Sequence, residues 1–139
     1  MKINESTKKE IYEVLESLKQ YLDRLENIEI LYSPYRGFLI LHWDPMNEKY
    51  YGIDTVRDAE EMARYIYGEM LELITVESGT DHYLNDLSFS EEEMQEAGLL
   101  TREMLAVLPE KVSEKLRSEV DEATGTIPDP KPVGVALCL

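Results

Sequence analysis

The sequence is poor in the residues that build most catalytic and metal centres. Its 139 residues include one cysteine, Cys138, and two histidines, His42 and His82. A single cysteine excludes an internal disulfide and a metal site made of several cysteines. The sequence also contains no phosphate-binding glycine loop, no nucleophile elbow and no HxxxH pair. We therefore expect a non-enzymatic protein that binds neither a cofactor nor a metal ion.

Long apolar runs are equally scarce. The first ten residues are polar, and no apolar signal region follows them. No stretch approaches the run of about 18 apolar residues that a membrane-spanning helix needs. We expect a cytoplasmic protein without a membrane partner. The hydrophobic fraction of 43% is nonetheless that of a globular chain, so one domain with a packed core is predicted.

Lysine is missing from the middle of the chain and arginine is scarce there, which concentrates the negative charge. No lysine occurs between Lys49 and Lys111. The segment Asp54–Glu96 holds 13 acidic side chains against Arg57 and Arg64, a net charge of −11 out of −15 for the chain. Such a segment repels nucleic acids and anionic membranes and attracts cationic surfaces.

The N-terminal segment has the apolar spacing of a helix. We predict a helix over Ser6–Glu26, capped by Ser6 or by Thr7, with Glu10 closing a capping box on Thr7. Apolar residues spaced three and four apart form one stripe along it: Ile11, Leu15, Leu18, Leu22 and Leu25. This stripe predicts a helix that packs against a sheet.

Three strands are predicted next. Ile28–Ser33 and Gly37–Trp43 are rich in β-branched and aromatic residues, and Lys49–Ile53 is shorter. Asp44-Pro45-Met46-Asn47 has the composition of a type I turn between the second and third strands. Phe38–Trp43 is apolar on both faces apart from His42, which indicates the central strand of a meander.

A second helix should follow, capped by Asp54 or Thr55, with Asp58 reaching back to Thr55. Its apolar side is formed by Val56, Ala59, Ala63, Ile66, Met70 and Leu73. Its other side carries four carboxylates and a tyrosine over about four turns: Asp58, Glu61, Tyr65, Glu69 and Glu72.

Further helices are predicted towards the C-terminus. Ser90 and Glu93 have the spacing of a capping box, and the helix they start should stop at Gly98. Thr101 opens another helical pattern, in which Pro109 either makes a kink or starts a new helix. We predict an α+β fold of order α-β-β-β-α, with a three-stranded antiparallel meander, helices on one face and a C-terminal helical subdomain. The domain would span 1–124, with a core over 1–78 and a helical extension over 88–124, before an extended proline-rich tail over 125–139.

The order of helices and strands resembles that of the double-stranded-RNA-binding domain, at the level of topology alone. Such a domain grips phosphates through a basic cluster at the start of its second helix. Here that segment reads Thr55-Val56-Arg57-Asp58-Ala59-Glu60-Glu61, so its charge is inverted. We therefore expect no direct binding of nucleic acid.

The inversion favours a protein that imitates a nucleic acid. Carboxylates on a rigid helix can take the place of backbone phosphates and bind a basic protein. The chain is similar in size, charge and lack of catalytic motif to small acidic inhibitors from phages and mobile elements, an anti-CRISPR-like class. The predicted partner is a basic, nucleic-acid-binding protein. The residues predicted to bind it are Asp58, Glu61, Tyr65, Glu69, Glu72, Glu92, Glu93 and Glu96.

Other interpretations remain open at this stage. The carboxylates could form a solvated face, or lie at helix starts because the helix dipole favours them there. The protein could instead be a dimeric accessory or scaffold domain that associates through its apolar C-terminal end, Val133–Leu139. A third possibility is a metal-dependent enzyme that uses His42 and His82, with Asp44 near the first of them.

Overall fold

Among the residues that the structure describes, two helices precede a three-stranded sheet and three helices follow it. The computed structural model describes residues 2–78 and 90–122. The observed order of helices and strands confirms the α+β class. The chain divides into two compact units, Met1–Ile66 and Tyr67–Leu139. The single domain predicted over 1–124 stays a prediction, and the tail over 125–139 lies outside the described residues.

The N-terminal helical segment is broken in two. Its helices are α1 (Glu5–Ser17) and α2 (Lys19–Leu22). Asn4 caps α1, because its side-chain oxygen accepts a hydrogen bond from the backbone N–H of Thr7 at 2.7 Å. The single helix predicted over Ser6–Glu26 and its predicted caps are therefore wrong. The break lies at Leu18, where φ is −102° and ψ is 17°.

The sheet is the predicted antiparallel meander. Its strands are β1 (Ile28–Ser33), β2 (Gly37–Asp44) and β3 (Lys49–Val56), in the spatial order β1-β2-β3. Ile40 of the central strand lies opposite Ile30 on one side and Asp54 on the other. The register between β2 and β3 shifts at His42 and Trp43, which marks a β-bulge.

One face of the sheet is covered by helices and forms the core of the first unit. Phe38 and Ile40, two residues apart on β2, are 1% and 0% exposed. The ring of Tyr12 from α1 packs edge-on against the ring of Phe38, with centroids 5.2 Å apart. Val56 at the end of β3 pairs with Phe38 and is also buried. The predicted covering of one face by helices is confirmed, and we call this the inner face.

The two turns of the meander have different local causes. Gly37 begins β2 with φ of 95°, and a Cβ there would lie 2.7 Å from the Val56 carbonyl oxygen, so only glycine fits without strain. In the second turn the Asp44 side chain accepts backbone hydrogen bonds from Met46 at 3.0 Å and Asn47 at 3.4 Å.

The next helix, α3 (Ala59–Ser78), begins later than predicted. Asp54 and Thr55 belong to β3, because the strand pairing continues to Val56. Asp58 occupies the cap position, and its carboxylate accepts a hydrogen bond from the backbone N–H of Glu61 at 2.8 Å. The predicted caps at Asp54 and Thr55 are therefore wrong.

In the described part of the second unit two further helices follow, α4 (Glu91–Val107) and α5 (Glu110–Glu122). The predicted capping box of Ser90 and Glu93 is confirmed. The predicted stop at Gly98 is wrong, because this glycine is buried inside α4. Pro109 starts a new helix, as one of its two predicted roles required, and its carbonyl accepts a hydrogen bond from the N–H of Ser113 at 2.9 Å. None of the helices in the described ranges is long and apolar enough to cross a membrane.

Candidate functional site

Two of the carboxylates predicted to bind a partner hold the start of α3. Asp58 accepts the N–H of Glu61, and the Glu61 carboxylate accepts the N–H of Arg57 at 2.9 Å. Both side chains remain exposed. They therefore combine a capping role with a position on the surface, and a substitution at either one would also change the stability of the helix.

The solvent-facing side of α3 is less acidic than the sequence suggests. At 3.6 residues per turn, Glu72 lies about 20° from Glu61 around the helix axis, whereas Arg64 lies about 60° away on the other side. Arg64 and Gly68 are both exposed. Arg64 thus places a cation beside the acidic residues, at one edge of this face.

The remaining predicted residues differ in their exposure. Glu69 is half-buried and Glu72 is exposed. On α4, Glu92 and Glu96 are exposed. Glu93 is only 1% exposed, and its carboxylate accepts a hydrogen bond from the N–H of Ser90 at 2.8 Å. Glu93 is therefore a buried capping residue, and the surface role predicted for it is wrong.

Tyr65 belongs to a cluster that the sequence did not reveal, formed with His42 and Asp54. His42 on β2 and Asp54 on β3 place Nε2 and Oδ2 2.8 Å apart. The Tyr65 hydroxyl on α3 donates to the same Asp54 oxygen at 2.8 Å and lies within hydrogen-bond distance of the same His42 nitrogen. The hydrogen bonds from His42 and then from Tyr65 hold the pKa of the Asp54 carboxyl below its ordinary value.

The geometry of this cluster is that of a structural link between α3 and the sheet and differs from that of a catalytic triad. A nucleophilic triad needs a carboxylate on one imidazole nitrogen and the nucleophile on the other. In this cluster Asp54 and Tyr65 both lie within hydrogen-bond distance of the same His42 nitrogen, Nε2, which carries at most one proton. When that proton is present it is donated to Asp54, and Tyr65 donates its own. The cluster therefore ties α3 to β2 and β3 without arranging a proton relay.

The residues proposed for a metal centre do not come together in the described ranges. Among residues 2–78 and 90–122, no three side chains of His, Cys, Asp or Glu form a group that could hold a metal ion. The Asp44 carboxylate accepts a hydrogen bond from the Asn47 side chain at 2.6 Å, in the turn. His82 lies outside the described residues.

The face of the sheet opposite the inner face was missed as a candidate site. On β2 the residues alternating with Phe38 and Ile40 point to it, and directly opposed residues on neighbouring strands point the same way. This outer sheet face consists of Glu29, Leu31, Leu39, Leu41, Trp43, Tyr50, Ile53 and Thr55. The apolar pattern of Phe38–Trp43 on both faces was its signal in the sequence, where it indicated only the central strand of a meander.

Several apolar side chains of the outer sheet face are open to solvent. Leu31, Tyr50 and Ile53 are 49%, 44% and 63% exposed. Trp43 is half-buried, and its ring meets that of Tyr50 edge-on with centroids 4.9 Å apart. The Tyr50 hydroxyl donates to the Glu29 carboxylate at 2.6 Å, which raises the pKa of Tyr50.

A small cavity in the second unit offers little room for a ligand. It lies beside the hydrogen bond of 2.7 Å between the Tyr67 and Thr101 hydroxyls and is lined by apolar side chains such as Met104 and Leu116. Its volume is about 20 Å³. That volume holds about one water molecule, so the cavity is a packing defect of the helices.

No family model, curated protein or solved structure matched the chain when each kind was compared with it.

Proposed function

We propose that this protein is a non-enzymatic inhibitor that binds a basic, nucleic-acid-binding protein through its carboxylates. The mechanism is competitive occlusion, in which carboxylates occupy the positions that phosphates would take on the partner. The protein would then act as a nucleic-acid mimic of the anti-defence type, in the cytoplasm, without touching nucleic acid itself.

The concentration of acidic residues in Asp54–Glu96 carries this proposal. In the first unit, the side chain of Asp54 is 55% exposed, and Asp58 and Glu61 are also exposed. In the second unit, exposed carboxylates occur on α3 and at the start of α4: Glu72, Glu91, Glu92 and Glu96. Each unit therefore offers acidic groups that an arginine-rich surface can bind through paired hydrogen bonds.

The spacing of these groups limits the partner. Glu92 and Glu96 are four residues apart, which corresponds to about 6 Å along α4. Duplex DNA carries about one charge per 1.7 Å of its axis, so one helix is a sparser array than DNA. A partner with a few discrete arginine pockets suits this array better than one that reads a continuous backbone. Binding should weaken steeply as salt is added.

The test reverses carboxylates that have no capping role. The variant Glu72→Lys, Glu92→Lys, Glu96→Lys leaves Asp58, Glu61 and Glu93 in place, so the helix caps are preserved. A matched control reverses three exposed acids of the N-terminal segment, in Glu13→Lys, Glu16→Lys, Glu26→Lys. Both variants change the net charge by the same amount, so general electrostatic attraction is held constant between them.

The assay captures proteins from a nuclease-treated lysate of the source cells on immobilised protein at low salt. Captured proteins are then tested for nucleic-acid binding with and without the soluble protein present. We expect the wild type and the control variant to capture the partner and displace its nucleic acid, and the test variant to do neither. Equal capture by the test variant and the wild type would show that the proposal is wrong.

A further inference from the structure

We propose that the outer sheet face is the interface of a homodimer and that its occupant is the same face of a second copy. This inference does not depend on the proposed function, because it involves a surface without the acidic residues of α3 and α4. Sheets that bury a second face in this way pack about 10 Å apart, as in a β-sandwich.

The first reason is the apolar character of the face. Each of its three strands contributes at least one large apolar side chain that is open to solvent or half-buried. Leu31 on β1 and Ile53 on β3 are 49% and 63% exposed, while Leu39 and Leu41 on β2 are half-buried between them. A contiguous apolar patch of this kind on a folded protein typically marks an interaction surface.

The second reason is the distribution of charge, which points to a second copy. Two chains of net charge −15 repel each other over most of their surfaces. Among the residues of the described strands that point to the outer sheet face, Glu29 is the one that carries a charge, and its carboxylate accepts a hydrogen bond from Tyr50 at 2.6 Å. Two copies can therefore approach through this face with the least electrostatic repulsion.

The register of the sheet defines how the two faces can meet. A two-fold axis running along β2 sets Leu39 and Leu41 against the same residues of the partner subunit. The same axis places β1 over β3 of the partner subunit, so the two Glu29 carboxylates lie at opposite edges of the interface. An axis across the strands would instead set the two carboxylates against each other and is disfavoured.

The size of the face sets the expected strength of the dimer. Three strands about 4.8 Å apart, each contributing about 17 Å of length, present roughly 250 Å² in projection. Allowing for the contours of side chains, a pair of faces buries on the order of 1,000 Å² in total, near the lower limit for stable complexes. We therefore expect a reversible dimer with a micromolar dissociation constant.

The chain contains its own probe of this interface. Trp43 is the single tryptophan and lies on the outer sheet face. Sedimentation velocity and tryptophan fluorescence would be measured on the full chain from about 1 to 500 µM in 0.5 M NaCl, which covers the micromolar range expected for such an interface. We expect the mass to rise towards twice 16.1 kDa and the Trp43 emission to shift to the blue over the same concentrations.

Two substitutions test the location of the interface. Leu31→Thr with Ile53→Thr removes apolar area but keeps strand-forming residues and leaves the charge unchanged. The control, Leu99→Gln, changes a side chain of similar exposure, 51%, on α4. We expect the double variant to raise the dimer dissociation constant by about tenfold or more and the control to change it by less than about twofold.

Two results would overturn the inference. One is a wild-type protein that stays monomeric up to about 500 µM in 0.5 M NaCl, the range that a micromolar interface should saturate. The other is a dimer that forms without a blue shift of Trp43, or whose dissociation constant is the same in the folded double variant. If the double variant fails to fold, as far-UV circular dichroism would show, the agreement of mass and Trp43 emission in the wild type still decides.

Discussion

Removing the hydroxyl of Tyr65 should destabilise the first unit in a pH-dependent way. Tyr65→Phe deletes the donor to Asp54 and the contact with His42, but keeps the ring that packs beside the sheet. A hydrogen bond to a charged group contributes about 1.5–3 kcal/mol. Because the Asp54 side chain is 55% exposed, solvent screening reduces this value, and we expect a loss of about 1 kcal/mol at pH 7.

The sign of the pH dependence follows from Asp54. Its carboxyl has a folded pKa below the value of 3.8 that it has when unperturbed, mainly because of the hydrogen bond with His42 and then that with Tyr65. A carboxyl with a lowered pKa stabilises the folded state above its unfolded pKa and loses that contribution as the pH falls through the folded pKa. The cost of Tyr65→Phe should therefore be largest well above the unperturbed pKa of 3.8 and shrink as the pH falls below it.

The assay is urea unfolding followed by Trp43 fluorescence, which reports on the sheet, at pH 7 and at pH values near 3. Tyr35→Phe is the control, because it removes a hydroxyl from a ring that is 56% exposed on a turn of the same unit. We expect its cost to be a few tenths of a kcal/mol at both pH values, as for most surface substitutions. A cost of Tyr65→Phe that is the same at both pH values would refute the role assigned to Asp54.

Four further substitutions test the local geometry by urea or thermal unfolding. Gly37→Ala should cost about 2–4 kcal/mol, because it combines a positive φ of 95° with a Cβ placed 2.7 Å from the Val56 carbonyl oxygen; a cost below about 1 kcal/mol would contradict this turn geometry. Ser90→Ala should cost about 1 kcal/mol through the loss of the cap on α4, and no change in stability would contradict the capping box. Asn4→Ala should cost a similar amount, because Asn4 caps α1. Ser6→Ala should change the stability little, because Ser6 lies inside the helix although the sequence predicted it as the cap. A larger cost for Ser6→Ala than for Asn4→Ala would restore the sequence-based assignment.

The parts of the fold that depend on local sequence could be predicted. The capping box of Ser90 and Glu93 involves residues three apart, and β1 was predicted with its observed bounds. The central position of β2 followed from its apolar character on both faces. In each case the pattern that allowed the prediction lies within one short segment, although the central position of β2 itself is fixed by pairing with β1 and β3.

The errors arose where a distant segment decided between local alternatives. Asp54 and Thr55 are reasonable helix caps, but pairing with β2 extends β3 through them, and the capping role passes to Asp58. Gly98 is a reasonable helix stop, yet its burial within α4 makes it an interior residue. Tertiary packing overrides local propensity at such positions, and a single sequence carries no sign of it.

The candidate site changed for the same reason. His42, Asp54 and Tyr65 are separated by 11 or more positions in the sequence and meet only because β2, β3 and α3 pack together. Glu93 was counted as a surface carboxylate because acidic residues are usually exposed, whereas in a capping box a buried carboxylate satisfies a backbone N–H. The structure thus excludes Glu93 from the exposed carboxylates. It also gives Asp58 and Glu61 a capping role at the start of α3.

The two proposed associations should respond to salt in opposite directions, because charge would favour the binding of a basic partner and oppose a dimer through the outer sheet face. The screening length falls from about 30 Å at 0.01 M salt to about 3 Å at 1 M. The proposed binding of a basic partner by Glu72, Glu92 and Glu96 would depend on attraction between unlike charges, so screening should weaken it. The proposed dimer of two chains of charge −15 is opposed by repulsion between like charges, so screening should strengthen it, while the apolar contribution of the outer sheet face would persist. Raising the salt concentration should therefore release the partner and favour the dimer, and an association that follows neither trend would involve neither surface.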